Sequence, residues 1–418
     1  MRRWFKVFGL LGLIFSLVFV FSTSSPVAAA DTVKIGIIYA LTGKGSAVGT
    51  KQMDSAKQAV NEINARGGVK IGDRRLKIEA VYQDTETKPD AAVRKMKSMI
   101  KDKKISALIG GTFAHVSMAM NAQNRRTPIL FVATNCTPEK MFTPKEKAPY
   151  SLSTLFPCES IGSGAAAYVG EVMKKKNIVV MLPDYAYGHG ALRGIGSVFK
   201  KMPEVKYTTI MTPVGTADMT PYLIKALDAK PEIVMMGQWG NDAITILKQA
   251  HDMGLRKKTE IFFNWIVNVF ATGIPPEALE GVMCQMFWYH DMRGFPYPEV
   301  ADPANAFTAR YRAAYGEPPD PYGTSAYMGV YEAVRGMEIA MSTDPEKVYG
   351  ALMANPEWTG PKGPAKWLRY GTPRYKHSSF IARGLGRDER KDVKWDYVKV
   401  IDSYRGEFAQ KTPAELGW

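Results

Sequence analysis

Cysteine is scarce. Three in 418 residues are too few for a disulfide framework, and no C-x-x-C pair is present to begin a zinc site. Five histidines are scattered singly. His115 follows a strand-like run and could act as a base, but with no paired Asp or Cys it reads better as a packed or solvated side chain. No H-E-x-x-H, G-x-S-x-G, Walker loop or EF-hand pattern occurs, which removes the best signatures of zinc proteases, α/β-hydrolases, NTPases and calcium hands. After the first thirty residues no apolar run approaches the roughly 20 residues of a membrane-spanning helix. Positive charge is in excess, with 55 Lys plus Arg against 40 Asp plus Glu, yet it is dispersed. Its densest groups are Lys174 to Lys176 and Arg383 to Lys394, and the second is interleaved with Asp388, Glu389 and Asp392. That is the pattern of a solvated face or loop, so no nucleic-acid partner is expected.

What is present is ordinary globular composition, 46% hydrophobic, 11% aromatic and 23% charged, and the length predicts about two domains. The first thirty residues stand apart. Arg2, Arg3 and Lys6 form a positive start, Val7 to Phe21 is an apolar run, and Ser22 to Ala30 ends in small residues with Ala28-x-Ala30. This is the layout of a secretory signal peptide cleaved near Ala30. The expected mature chain is a soluble, basic, exported protein beginning near Asp31.

Beyond it, short apolar runs alternate with amphipathic stretches. Val33 to Ala40 is β-branched and apolar, and after a Gly-rich turn Met53, Ala56, Val60 and Ile63 fall on one helical face that Gly67 and Gly68 terminate. Further strands are expected at Leu76 to Tyr82, Ile105 to Ile109 and Pro128 to Ala133, with a helix opening at Pro89. From Asn177 the pattern restarts, with strands at Ile178 to Leu182, Tyr207 to Met211, Glu232 to Gly237 and Glu260 to Asn264. A final strand is expected at Trp395 to Ile401. Such alternation predicts parallel sheets flanked by helices, here in two similar α/β lobes.

Each half opens with strand, Gly-rich loop and helix: LTGKGSAVG in the first and DYAYGHGALRG in the second. Neither loop completes a dinucleotide fingerprint, because the third glycine position holds Val48 or Arg193. No cofactor is expected. Backbone N–H groups at such helix starts nevertheless attract carboxylates, and ligands of open α/β sheets bind at that edge.

The residues also carry a resemblance. LTG, AVNEINARGGV, Asp84 after the second strand, ALIGG, VATN (132–135), DYAYG (184–188), TADMTPYLIKALDAKPEIVMMG and the Tyr-containing helix at Tyr327 to Ile339 follow one another as in the type I periplasmic solute-binding proteins of the branched-chain amino acid (Leu/Ile/Val-binding) ABC transporter family. The resemblance covers essentially the whole chain after the leader. It implies two doubly wound parallel-sheet lobes joined by three crossover strands, near Tyr150 to Phe156, Met283 to Trp288 and Tyr375 to Arg383. Lobe 1 would then comprise residues 31–150 and 286–378 and lobe 2 residues 151–285 and 379–418, within a family-like domain of about 33–405. It also implies a periplasmic receptor, not an enzyme, that closes on a small solute and delivers it to an inner-membrane ABC permease. An exported sensor of the same fold is the alternative; an exported α/β enzyme would need a clustered acid, base or nucleophile that the sequence does not display.

The resemblance carries binding residues one at a time. Ala133 and Thr134 fall where the family holds a ligand carboxylate, and Tyr187 falls on the ring position that lines the pocket. Ala114 stands where the family has a serine, with Thr112 nearby and Phe113 and Trp239 as aromatic neighbours. The acid that pairs with an amino acid's ammonium falls at or beside Trp265, and no carboxylate lies between Glu260 and Glu277. A lone buried ammonium costs about 3 to 5 kcal/mol, so the expected ligand is an aromatic or aliphatic carboxylate or an amide rather than a standard amino acid. The other reading is that Trp265 packs as core and Asp242 or another acid reaches the ammonium. Phe113, Trp288 and Tyr289 are cleft candidates that could equally be core. Cys136 and Cys158, flanking the first crossing, could form a disulfide, leaving Cys284 free and buried.

Overall fold

The computed structural model describes residues 32–404 and 411–418; the expected signal peptide lies outside them. Along the chain run β1 (Thr32–Tyr39), α1 (Ser46–Ala65), β2 (Val69–Ile71), β3 (Arg74–Asp84), α2 (Pro89–Lys101), β4 (Ala107–Gly110), α3 (Ala114–Asn124), β5 (Leu130–Ala133) and β6 (Ser151–Ser153). Then come α4 (Cys158–Ala167), β7 (Asn177–Pro183), α5 (Ala186–Phe199), β8 (Lys206–Thr212), α6 (Thr220–Asp228), β9 (Ile233–Met236), α7 (Asn241–Asp252), β10 (Glu260–Phe263), the short α8 (Asn268–Ala271) and α9 (Pro276–Leu279), and β11 (Met283–Met286). The last part holds α10 (Pro298–Tyr315), α11 (Pro321–Ala340), α12 (Pro345–Ala354), β12 (Glu357–Gly360), β13 (Gly363–Trp367), β14 (Pro373–Tyr375), β15 (Ser379–Gly384) and β16 (Val398–Tyr404).

The strands form two large sheets, β2-β3-β1-β4-β5-β6 and β16-β15-β11-β10-β9-β7-β8, and a small antiparallel one, β12-β13-β14. In the first sheet β1 pairs in parallel with β3 and β4. Alternate residues of β1, β4 and β5 feed opposite cores: Ile35, Ile37, Ile109 and Val132 join the large apolar cluster, while Ile38, Leu108 and Phe131 join a second one with Met96 and Met99. Both faces are therefore covered by helices, and near-continuous apolar runs are what such strands require. Parallel pairing does not extend to the edges. β2 folds back on β3 and β15 runs antiparallel to both β11 and β16, pairings that short Gly-rich segments conceal in the sequence. The last strand is Val398–Tyr404 rather than Trp395 to Ile401, since Tyr397 turns into the core and packs on Tyr289.

The α1 terminus shows why the glycine pair was legible. Gly68 has φ +94, its N–H returns to Ile63 O at 2.9 Å, and a Cβ there would lie 2.2 Å from Leu76 O. Only glycine permits that turn against β3.

The chain passes between the sheets three times. After β6 it enters α4, after β11 it runs through Phe287 and Trp288 into α10, and after β14 it returns as β15. Cys136 and Cys158 are bonded across the first passage, with Cα atoms 5.3 Å apart, and Cys284 is free and buried. Trp288 and Tyr289 are core: the first donates to Pro361 O and packs on Phe307, the second donates to Trp395 O. Among the described residues no helix is long and apolar enough to cross a membrane.

Candidate functional site

The carboxyl ends of the two large sheets meet. On the first, Tyr39 closes β1, Thr112 follows β4 and Thr134 follows β5. Thr112 Oγ1 accepts the Ala40 N–H at 3.0 Å, which leaves its own hydroxyl proton to give. Thr134 is fully buried; its N–H goes to Gly110 O at 3.2 Å and its hydroxyl shares a 2.9 Å bond with Tyr39. Ala133 is the last β5 residue, packed inside. Ala114 opens α3, whose N-terminus has Phe113 as N-cap and no side-chain cap. Its first N–H groups and dipole thus face outward beside Thr112, the arrangement that receives carboxylates.

On the second sheet, Tyr187 lies in the first turn of α5, Trp239 follows β9 and Trp265 follows β10. Helices α5 and α7 also start without side-chain caps. The aromatic residues converge from both sides. Phe113 meets Trp239 edge-on with centroids 5.6 Å apart. Trp265, 1% exposed, packs on Phe156 of the first passage at 5.8 Å and on Phe287 of the second at 6.4 Å. Tyr322, at the start of α11, stands beside Trp265 and Trp239, the Trp265 Nε1 is buried with no hydrogen-bond partner, and the Tyr185 ring is tilted against Tyr187 at 5.8 Å. Burial, reinforced by the neighbouring Tyr322, pushes the Tyr187 hydroxyl far above its ordinary range, so it stays protonated.

Two carboxylates stand near this wall, and backbone N–H groups hold both. Asp242 Oδ2 accepts Gly215 N at 2.9 Å. Asp320 caps α11, accepting Tyr322 N at 2.9 Å and, from the other side of the cleft, Val269 N at 3.2 Å. Burial pushes its carboxyl up to about 6, against the backbone donors and Lys51. Asn268 adds a bond to Pro319 O at 3.0 Å and accepts from the Tyr397 hydroxyl at 2.5 Å. A cavity of about 400 Å³ opens at this edge between Ser46, Thr50 and Lys51 on one side and Asn268, Val269 and Thr272 on the other.

The structure thus brings Thr112, Phe113, Ala114, Ala133 and Thr134 to one sheet edge and Tyr187, Trp239 and Trp265 to the other, with Phe113 against Trp239. Sequence reasoning missed Tyr39, Phe156, Asn264, Asp320 and Tyr322. Of these Asn264 had a signal, standing between an apolar strand and a Trp; Tyr322 reaches the site from a helix 57 residues downstream of Trp265.

The model of the family described as "Periplasmic binding protein" matches residues 32–386. The chain belongs to that family. This periplasmic binding protein is 26% identical over 347 residues to the leucine-specific-binding protein of Salmonella typhimurium, spanning 82% of this chain and 89% of that one. Its fold is that of three solved structures below 25% identity. The branched-chain amino acid transporter substrate-binding protein of Streptococcus pneumoniae, in complex with isoleucine, has TM-score 0.73 and 20% identity, covering 89% and 99% of the two chains. A solute-binding protein of an ABC transporter from R. palustris, in complex with benzoate, has TM-score 0.72 and 19% identity over 89% and 96%. Another from Rhodopseudomonas palustris BisB5, in complex with 3,4-dihydroxy benzoic acid, has TM-score 0.76 and 19% identity over 92% and 99%. This periplasmic binding protein is therefore of the type I fold.

Proposed function

We propose that the chain is the extracytoplasmic substrate-binding subunit of an ABC importer, exported by its leader, and that it captures a small aromatic or otherwise apolar carboxylate, or an amide. It would act without covalent chemistry, handing its solute to an inner-membrane permease. The expected division puts lobe 1 at 31–150 and 286–378 and lobe 2 at 151–285 and 379–418; the sheets depart from it at β6, which joins the first sheet, and at the tail, where Leu416 packs with Phe131 and Phe142 and Trp418 donates to Phe142 O. The carboxylate would lie against the uncapped start of α3 and the Thr112 hydroxyl, and the apolar body against Trp239, Trp265 and Tyr187. Because these groups sit on opposite sheet edges, contacts from both exist only when the lobes close, and the solute shifts the population toward that form.

The observation that carries this reading is the aromatic wall around Trp265 in a place where both neighbouring carboxylates are engaged by backbone N–H groups. An ammonium there would have to share carboxylates already bonded to backbone N–H groups, whereas a ring gains area and edge-on contacts of about 0.5 to 1.5 kcal/mol per pair. The test is a thermal-shift screen of the exported protein against leucine, isoleucine, benzoates, aliphatic acids and amides. A ligand at a hundredfold excess over its dissociation constant adds about 2.7 kcal/mol of stability. Shifts with aromatic acids or amides and none with leucine are expected; a leucine or isoleucine response with silence toward the others would overturn the reading.

A further inference from the structure

The second sheet's edge holds buried polar atoms that meet no protein partner among the described residues. Asn264 is the first residue after β10. Its backbone N–H is fixed on Met236 O at 2.6 Å and its side chain is fully buried, yet neither Oδ1 nor Nδ2 has a partner. The Tyr187 hydroxyl is likewise buried and unpartnered. Gln238, 1% exposed, gives its Nε2 to Thr212 Oγ1 at 3.3 Å and has an unpartnered Oε1. Gly237 lets Tyr187 and Asn264 converge: a Cβ there would lie 3.6 Å from both the Tyr187 hydroxyl and Asn264 Cβ, and 2.5 Å from Leu182 Cδ2. Buried polar groups are almost always bonded, and two neighbouring side chains that are not constitute a demand for specific partners.

The demand includes a donor. Asn264 offers an acceptor and a donor and Tyr187 either, while the buried Trp265 Nε1 offers only a donor, so Asn264 Oδ1 is the acceptor left open. Neither a carboxylate nor a bare ring can donate to them. An ammonium can, but it would have to share Asp242 and Asp320 with the N–H groups of Gly215, Tyr322 and Val269. We infer that the ligand carries, away from its carboxylate, a neutral hydrogen-bond donor, a phenolic hydroxyl or an amide N–H, read by Asn264 and Tyr187. This rests on the aromatic-carboxylate reading and deepens it: these two residues determine which aromatic acid is taken.

Calorimetric titration of the exported protein with benzoate, the 2-, 3- and 4-hydroxybenzoates, the corresponding methoxybenzoates and 4-carbamoylbenzoate tests it. At least one donor-bearing acid should bind about tenfold or more tighter than both benzoate and its methyl ether, since a site built for a donor rejects the analogue lacking it. Asn264→Leu should abolish that preference, and Tyr187→Phe, which removes only an oxygen, should reduce it if the leucine variant does not fold. Equal affinities for hydroxy and methoxy acids, or a preference untouched by both substitutions, would overturn the inference while benzoate binding upheld the reading beneath it. If no aromatic acid or amide binds, that reading falls and the inference with it.

Discussion

Lys362 shows how a single residue can fix a junction. It sits in the turn between β12 and β13, is fully buried, donates to Phe287 O and lies 4.5, 5.2 and 4.2 Å from the ring centroids of Phe287, Tyr375 and Phe380. Phe287 follows β11 and the other two rings flank the return into β15, so one amine touches two of the three passages between the sheets. Burial holds that amine well below its ordinary pKa, and a lone buried cation stabilises little. The packing of its stem should therefore matter more than its charge. Lys362→Met is expected to lie within about 1 kcal/mol of the parent and Lys362→Ala to lose about 2 to 3 kcal/mol, because only the second leaves a cavity. Urea unfolding of both checks this; equal losses would mean that the amine itself is the stabilising element.

At the scale of elements, α1 and α11 are tied through Glu62. Its carboxylate accepts from the Tyr327 hydroxyl at 2.5 Å, Tyr331 at 3.0 Å, Gln58 at 2.8 Å and Arg310 at 3.1 Å. Burial pushes the carboxyl up, but these donors outweigh it and hold it below the ordinary range. A depressed carboxyl contributes stability that is present above its unfolded pKa and lost as pH falls through the folded value. Tyr327→Phe should thus cost about 1 kcal/mol at neutral pH and less in strong acid, so thermal midpoints of parent and variant converge as pH drops; a constant gap would assign the loss to packing. This tie was half legible in the sequence. Tyr327 and the AVNEINARGGV helix stand out on their own turns, because helical spacing and glycine stops are local signals. Asn264, Tyr322 and Asp320 do not, because each acquires its role from residues that only the sheet order brings near. The β12–β14 hairpins were hidden for the opposite reason: a Gly- and Pro-rich segment reads as loop when its partners are unknown.

The whole molecule closes around these contacts, and one of them carries a titratable group. Asp320 caps α11 in the same body of helices as α1, while Val269, whose N–H it accepts at 3.2 Å, follows β10 of the other sheet. In the closed form burial raises its carboxyl to about 6 from an ordinary 3.8, although Lys51 and the backbone donors of Tyr322, Val269 and Asn268 oppose the rise. Opening the cleft separates Val269 from it and admits water, returning it toward the ordinary value. The closed form then binds the proton more tightly than the open one, so closure gains as pH falls through 6 and is insensitive to pH above about 7. For a solute whose own carboxylate stays ionised, affinity is expected to rise by up to about tenfold between pH 7 and pH 5. His115, held low by its partial burial, stands at the start of α3 and adds charge in acid, so the decisive comparison is with Asp320→Asn. That variant keeps a cap for α11 but cannot titrate, and its affinity should change with pH only as far as His115 and the solute dictate. Titration calorimetry at the two pH values distinguishes the cases: a parent curve flat from 7 to 5, or a variant with the parent's slope, would show that Asp320 holds the same proton affinity open and closed and that closure is driven by the solute contacts alone.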